Sequence, residues 1–441
     1  MDITLTDEML KAIDLISQKK NVFITGDAGT GKTTFLKYLV NYIKDTLCQD
    51  AVVCAPTGVA ALNSEGETIH SLFLASLGFI SPEDKSEVYK LSKNSKKILS
   101  SVDFVIIDEV SMLRSDLLDA VDKKLRYARR NNNPFGGVCV IMFGDLYQLP
   151  PVVQSEEVPL FEKYYESEYF FDAYVWGESK FSVVKLTKVF RQKDESFINI
   201  LNKIRNYTIY YNNECLNLLN SRCINDNDSL VNNSSSIILC STNSEADTIN
   251  NQEVHKLIKA GNKSKIYTAD IVGKYPKNRV KKELLLAEGS RVMVTSNITV
   301  QGGKLINGTL GEVVSVSDDF VSIKTDSGII ASIGRVEKCS YSYKEVDGSI
   351  LKEVSGTYTQ IPLVPAYAIT IHKSQGLTFD NVVVMTSNIF LPGQLYVALS
   401  RCTSLDGLRL SSSVTGKQLV VNSSVLYFDE ICRQSNYEYS K

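Results

Sequence analysis

Three short stretches bring together residue types that can handle a nucleoside triphosphate. In "NVFITGDAGTGKTTF" an apolar run, Val22 to Ile24, leads into Gly26, Asp27, Ala28, Gly29, Thr30, Gly31, Lys32, Thr33 and Thr34, and a helical pattern follows. This is G-x-x-x-x-G-K-[ST] in a strand, loop and helix setting. Its glycines let the backbone wrap around phosphates, the helix N-terminus favours anions, Lys32 can reach the β and γ oxygens, and Thr33 can ligate Mg²⁺. The second stretch, "FVIIDEVSM", ends an apolar run in Asp108 and Glu109. Adjacent acids at the carboxyl end of a buried strand are costly without a cation or a catalytic task. Asp108 suits a Mg²⁺ holder beside Thr33, and Glu109 suits the group that orients and deprotonates an attacking water. For either acid alone, an N-cap of the helix starting near Ser111 is the alternative. The third stretch, "VCVIMFGDLYQLPPV", runs through Gly144 and Asp145 to Gln148, a neutral amide able to sense a γ-phosphate by hydrogen bonding. ATP and Mg²⁺ are the expected cofactors.

These residues need a scaffold that gathers strand ends. Apolar strands ending near residues 25, 55, 107 and 143 read as one edge of a RecA-like doubly wound domain over 1–184. A second α/β pattern, over 185–288 and 363–441, has strands at Ile237 to Cys240, Tyr367 to Ile371 and Val382 to Met385, but no phosphate loop. Between them, 289–362 shows short β-rich runs separated by Asn307-Gly308, Asp326-Ser327-Gly328 and Val346-Asp347-Gly348, the pattern of a small inserted barrel. The expected fold class is therefore α/β, with two RecA-like parallel-sheet domains and a β-barrel inserted in the second. A loop insertion is expected at 206–236, where Asn220 to Ser236 is rich in Asn, Asp and Ser. Another insertion, at 64–80, reads equally as a wedge or as a core helix.

Composition narrows the class. The 441 residues suffice for two or three domains, and 44% hydrophobic content suits a packed chain. No apolar run approaches the roughly 20 residues of a membrane-spanning helix, so no membrane partner is expected. The opening MDITLTDEML carries three acids and no base, unlike a secretory or mitochondrial leader. A cytoplasmic protein of a bacterium or phage, without flanking domains, is expected. Nine scattered cysteines without a C-x-x-C pair read as reduced packing residues. The net charge is only −2, yet Lys256 to Lys282 holds nine Lys or Arg against the single acid Asp270. Most of these are expected to be solvated, with a minority able to follow phosphates.

A nucleotide site leaves the work done open among kinases, transport ATPases and motors. The ordered set "APTGVAALN", "TIHSLF", "GDLYQLPPV", "KVFRQ", "AYAITIHKSQGLTFD" and "LYVALSRCTSLDGLRL" resembles the superfamily-one-B DNA helicases, specifically the petite integration frequency (PIF) family, over about residues 20–410. The segment "LLDAVDKKLRYARRNNNPFGG" resembles the family's signature; read alone, it is an amphipathic helix with heptad-like leucines and a basic face.

The resemblance implies roles that the residues alone do not fix. Pro56, Thr57, Gly58 and Val59 match a stretch that touches single-stranded DNA; backbone N–H groups and the Thr57 hydroxyl can hold a phosphate without a charge that would resist sliding. Thr68, His70, Ser71, Thr370, His372, Lys373 and Ser374 fall in motifs lining the DNA path, whereas His255 matches none. Arg191 and Arg401 fall on two arginine-finger positions, and Gln375 with Gly376 matches the link between nucleotide and DNA. Where the family has a glutamine that reads adenine, this chain has Met9.

The implied function is ATP-driven 5′-to-3′ translocation on single-stranded DNA. Unwinding of duplex or structured DNA such as G-quadruplexes would follow, in replication, repair or telomere-like maintenance, by a chain active as a monomer. Alternatives are a RecD-like component of a larger complex and a nucleotide-switched DNA-binding module.

Overall fold

A computed structural model describes residues 4–76, 78–192, 194–224, 236–273, 282–300, 303–305, 307–346, 349–420 and 422–438. Most of the Asn/Asp/Ser-rich loop, residues 274–281 of the basic stretch and the turn residues 347 and 348 lie outside them. The chain divides into two compact units, Met1–Leu216 with Phe390–Ser400 and Thr415–Lys441, and Asn217–Ile389 with Arg401–Val414.

The first unit is built on β1 (Asn21–Gly26), β2 (Ala51–Ala55), β3 (Glu67–Thr68), β4 (Phe104–Ile107), β5 (Cys139–Gly144) and β6 (Phe181–Leu186). They form one parallel sheet in the order β3-β2-β4-β5-β1-β6. Every residue of β4 and β5 is buried, as expected for central parallel strands covered on both faces. The helix Lys32–Asp45 places Phe35, Leu36, Leu39 and Ile43 on one stripe, which packs with Val22, Ile24, Ile106, Ile141 and Phe143. Truncating such a residue, Leu39→Ala for example, costs about 2–5 kcal/mol. Strand β6 pairs along β1 from Asn21↔Phe181 to Gly26↔Leu186. It therefore crosses the boundary expected at residue 184, and the compact unit continues to Leu216.

The signature segment forms the helix Ser115–Arg129, with Leu117, Leu118, Val121 and Leu125 buried. Gly136 adopts φ +60° and a Cβ there would lie 2.7 Å from the Leu125 carbonyl, so the turn needs glycine. The expected basic face is largely not solvated. Lys124 is fully buried and pairs with Glu87 at 3.0 Å, and Arg126 pairs with Asp122 and Glu178. Among the described residues of 64–80, β3, one helical turn Ile69–Leu72 and irregular backbone follow one another, so the stretch is neither a continuous helix nor a single loop. This irregular backbone is held by Lys124 Nζ donating to the Leu74 carbonyl (3.0 Å) and the Ile80 N–H donating to Asp116 (2.8 Å). The helix Ser423–Glu438 completes the unit, stacking Phe428 on Phe171 at 4.3 Å between ring centroids.

The second unit has a four-stranded parallel sheet ordered Ala368–Thr370, Ile237–Cys240, Val382–Val384, Leu408–Leu410. Residues 289–362 contribute most of a five-stranded antiparallel sheet, ordered Ile330–Gly334, Phe320–Thr325, Leu310–Val316, Arg291–Val294, Leu363–Pro365. Its inward positions Val292, Val313, Val321, Ile323 and Ile333 form one core. The two end strands are not paired with each other among the described residues. A long hairpin, Val336–Val346 with Ser349–Gln360, pairs with Asp270–Gly273.

Candidate active site

In the first unit the loop after β1 closes on its own lysine. Lys32 Nζ donates to the carbonyls of Gly26 (2.7 Å) and Asp27 (3.0 Å), and the Thr30 hydroxyl donates to Asp27 O (2.9 Å). Gly29 has φ +82°, and a Cβ there would sit 2.7 Å from Arg191 Cβ. Only glycine lets the segment after β6 approach so closely, and the Phe190 N–H donates to Gly29 O at 2.8 Å. Gly31 opens the helix Lys32–Asp45 with no side-chain cap and no acid in the first turn, so its first N–H groups are left for an anion. Thr33 and Thr34 are exposed on that first turn. Burial pulls the Lys32 ammonium below its usual value, against the charges of Asp145 and Glu109.

Asp108 and Glu109 follow β4 as expected. Asp108 is buried, its carboxylate accepts the Glu109 N–H (2.9 Å), and Glu109 takes a left-handed conformation at φ 52°. Burial, then the Glu109 charge, pushes the Asp108 carboxyl well above its usual range, with Lys32 opposing. A divalent cation would relieve such a pair, and the exposed Thr33 hydroxyl is a suitable hard ligand; the residues present fit Mg²⁺ with a triphosphate. Gln148 is buried, and its Nε2 lies 3.4 Å from Asp145 Oδ2.

Arg191, expected in the second domain, belongs to the first unit. Its Nη1 donates to Ser400 O at 3.2 Å, Gln192 Nε2 donates to the same oxygen at 3.1 Å, and burial lowers its pKa. Phe190 is 45% exposed, and its ring would lie 3.6 Å from a Cβ on Gly31, with Met9 Cε 3.9 Å from that point. It offers an aromatic face beside the phosphate loop, while Met9 is buried in the core. The sequence signal for it was its place beside Arg191. Two further residues carried no such signal. Tyr396 OH accepts the Ala28 N–H at 2.7 Å, and Arg205 contacts both Asp27 and Asp145.

The candidate DNA residues of the first unit stand at the carboxyl ends of β2 and β3. Pro56, Thr57 and Gly58 follow β2, and Val59 lies in the short helix Gly58–Asn63. Thr57 Oγ1 accepts the Ala60 N–H (3.2 Å), and Thr68 Oγ1 accepts the Ser71 N–H (3.2 Å). A hydroxyl that accepts in this way keeps its own proton for donation to a phosphate. His70 is half-buried in the turn after Thr68, and the exposed Ser71 donates to Glu67 (3.0 Å).

The second unit repeats this device. Thr370 Oγ1 accepts the Lys373 N–H (3.3 Å), Ser374 Oγ donates to Ile371 O (2.7 Å), and Gln375 is buried beside Gly376, which has φ 80°. Arg401 is buried, with Nη1 within 3.5 Å of Ser374 O and 3.3 Å of Leu377 O. Burial lowers the pKa of His372. Lys373 is exposed.

Known proteins match both halves. The PIF1-like helicase family profile covers residues 4–214, and the UvrD-like helicase C-terminal domain profile covers 365–405. The "ATP-dependent DNA helicase Pif1" of Bdellovibrio bacteriovorus is 30% identical over 97% of this chain and 92% of its own length. A Danio rerio relative is also 30% identical, but the chain spans only 63% of its length. Bacteroides Pif1 in complex with ADP-AlF4 is 38% identical, covers 98% of both chains and has a TM-score of 0.86. Bacteroides Pif1 bound to single-stranded DNA is 40% identical, covers 99% of this chain and 98% of its own, and has a TM-score of 0.73.

Proposed function

The chain belongs to the PIF1 family of ATP-dependent DNA helicases, and on that premise we propose that it couples ATP hydrolysis to 5′-to-3′ movement along single-stranded DNA and so separates duplex or folded DNA. The observation that carries this is the crowding of two chemistries on one sheet edge: the phosphate loop, Asp108, Glu109 and Gln148 end β1, β4 and β5, while Thr57, Gly58, Thr68 and His70 end the neighbouring β2 and β3. A change at the nucleotide thus has a short, rigid path to the strand-binding stretches.

Bound Mg²⁺ would supply charge neutralisation at the phosphates, held by Thr33 and Asp108. Lys32 exchanges its loop carbonyls for phosphate oxygens. Glu109 takes the proton of the attacking water, and Gln148 holds that water or the terminal phosphate in line. Arg191 and Arg401 stabilise charge developing during cleavage. Phe190 offers its face to the base, and Met9 cannot read the base edge by hydrogen bonding, so any selectivity for adenine does not come from a hydrogen bond at this position. The Thr370 to Ser374 stretch of the second unit holds DNA through hydroxyls and backbone, which permits stepping.

Unwinding of 5′-tailed and 3′-tailed duplexes by the purified chain tests this reading. Strand separation from the 5′ tail only, with hydrolysis strongly stimulated by single-stranded DNA, is expected. A rate indifferent to DNA removes the motor function.

A further inference from the structure

Two acids on different segments of the first unit share one guanidinium. Arg205 ends the helix Glu195–Arg205 and is 4% exposed. Its Nη2 and Nε donate to Asp145 Oδ1 at 3.0 and 3.3 Å, and Nε also lies 3.1 Å from Asp27 Oδ1. The guanidinium carbon stands 4.1 Å from the centre of the Tyr147 ring. Asp145, wholly buried, accepts in addition from the Tyr147 N–H (3.3 Å) and from Gln148 Nε2 (3.4 Å). Asp27 Oδ1 is buried without a well-formed hydrogen bond, so charge attraction holds it to Arg205. The next loop residue is held as well, through its N–H to Tyr396 OH. Burial opposes the charge on Arg205, but Asp145, Tyr396 and Asp27 outweigh it.

We propose that Arg205 is a positioning residue of the triphosphate site: it fixes the phosphate loop through Asp27 and the Gln148 loop through Asp145, and its single positive charge offsets part of the negative charge of these two carboxylates, which would otherwise oppose an incoming polyphosphate. The inference rests on residues 26–33 binding phosphate. Arg205 need not touch the nucleotide. Without it, Asp27 and Asp145, whose charges already act on Lys32, would compete with phosphate for that ammonium.

The test uses the full chain, binding of a fluorescent ADP analogue, steady-state hydrolysis and thermal unfolding. Arg205→Gln is expected to weaken analogue binding and raise the KM for ATP about tenfold or more, with a smaller change in kcat. Adding Asp27→Asn to it should recover much of that loss, because the uncompensated charge is gone. An arginine that only stabilised the fold would lower the melting temperature and the active fraction, leave KM unchanged and gain nothing from Asp27→Asn. If Arg205→Gln does not fold, Arg205→Lys keeps the charge and loses the fork, and KM should still rise about threefold. An unchanged KM in the folded variant, or losses from the two substitutions that simply multiply, overturns the role given to Arg205. Failure of the wild-type chain to bind the analogue overturns the phosphate reading itself.

Discussion

Each unit contains a parallel sheet in which a strand feeds a long helix, yet the two strand-to-helix turns are built for opposite purposes. After β1 the chain passes through Gly29 and Gly31 into Lys32–Asp45 with no side-chain cap and no acid in the first turn. After Ile237–Cys240 it passes through Thr242 into Asn243–Lys259, where the Thr242 hydroxyl accepts the Glu245 N–H at 3.3 Å and Glu245 itself sits in the first turn. The second helix satisfies its own N-terminus and places a negative charge there, so it repels phosphate. The same contrast extends along the sheet edges. The first carries Lys32, Asp108, Glu109, Asp145 and Arg205, whereas the stretch 370–376 of the second carries hydroxyls, an amide, an imidazole and one exposed lysine, with no acid. Sheet architecture alone therefore does not prepare an edge for phosphate; open N–H groups and buried charges of both signs set apart the edge proposed to hydrolyse ATP.

The largest expected effect pairs one substitution at each turn. Lys32→Ala should lower DNA-stimulated hydrolysis by about 10³-fold while leaving single-stranded DNA binding within about threefold. Thr242→Ala should leave hydrolysis within about twofold and cost about 1 kcal/mol of stability, read by denaturant melting. Comparable losses of hydrolysis from both would erase the distinction. Next in size is Arg401→Lys. The Nη1 of Arg401 lies near the carbonyls of both Ser374 and Leu377, and a lysine has neither the planar guanidinium nor its further donors, so kcat should fall about tenfold or more with DNA affinity changed less than about threefold. Fluorescence anisotropy and a phosphate-release assay separate the two. If affinity falls and hydrolysis holds, the second unit serves only as a strand holder.

Much of the first site was legible because its signals are local. The loop of residues 26–33, the paired acids after β4 and Gln148 after β5 each announce themselves within a few residues of an apolar strand, and β1, β2, β4 and β5 end close to where the pattern ends them. What stayed hidden depends on the fold. Strand β3 is two residues long, too short for any periodicity, and β6 contains Lys185 and only partial burial, so it does not read as a sheet member. That omission placed the domain boundary before Arg191, whose segment in fact lies against Gly29. Arg205 looks like an ordinary basic residue closing a helix, and only folding brings it to Asp27 and Asp145. Tyr396 lies 368 residues from the Ala28 N–H it accepts. Lys124 shows the converse: it reads as part of a basic face, yet it stands seven residues after Leu117 at the edge of the apolar stripe, and packing buries it against Glu87.

The smallest expected effect uses pH on the second edge. Burial holds the His372 pKa below 6.5, so the folded state binds its proton less readily than the unfolded chain does. A base depressed in this way contributes stability that is present above pH 6.5 and is lost as pH falls through the folded value. With its proton held less readily in the folded state, His372 would meet DNA, on the reading proposed above, mainly as a neutral hydrogen-bonding group. Replacing it with Asn should leave single-stranded DNA affinity at pH 7.5 within about threefold, since a neutral hydrogen-bonding group is exchanged for another. The wild-type melting temperature should drop on going from pH 7 to pH 5.5, and the drop should be smaller in His372→Asn, by less than about 2 °C given the size of the chain. DNA affinity that instead strengthens as the pH falls, and does so only with His372 present, would mean that this edge uses charge after all and would bring the two sheets closer in kind.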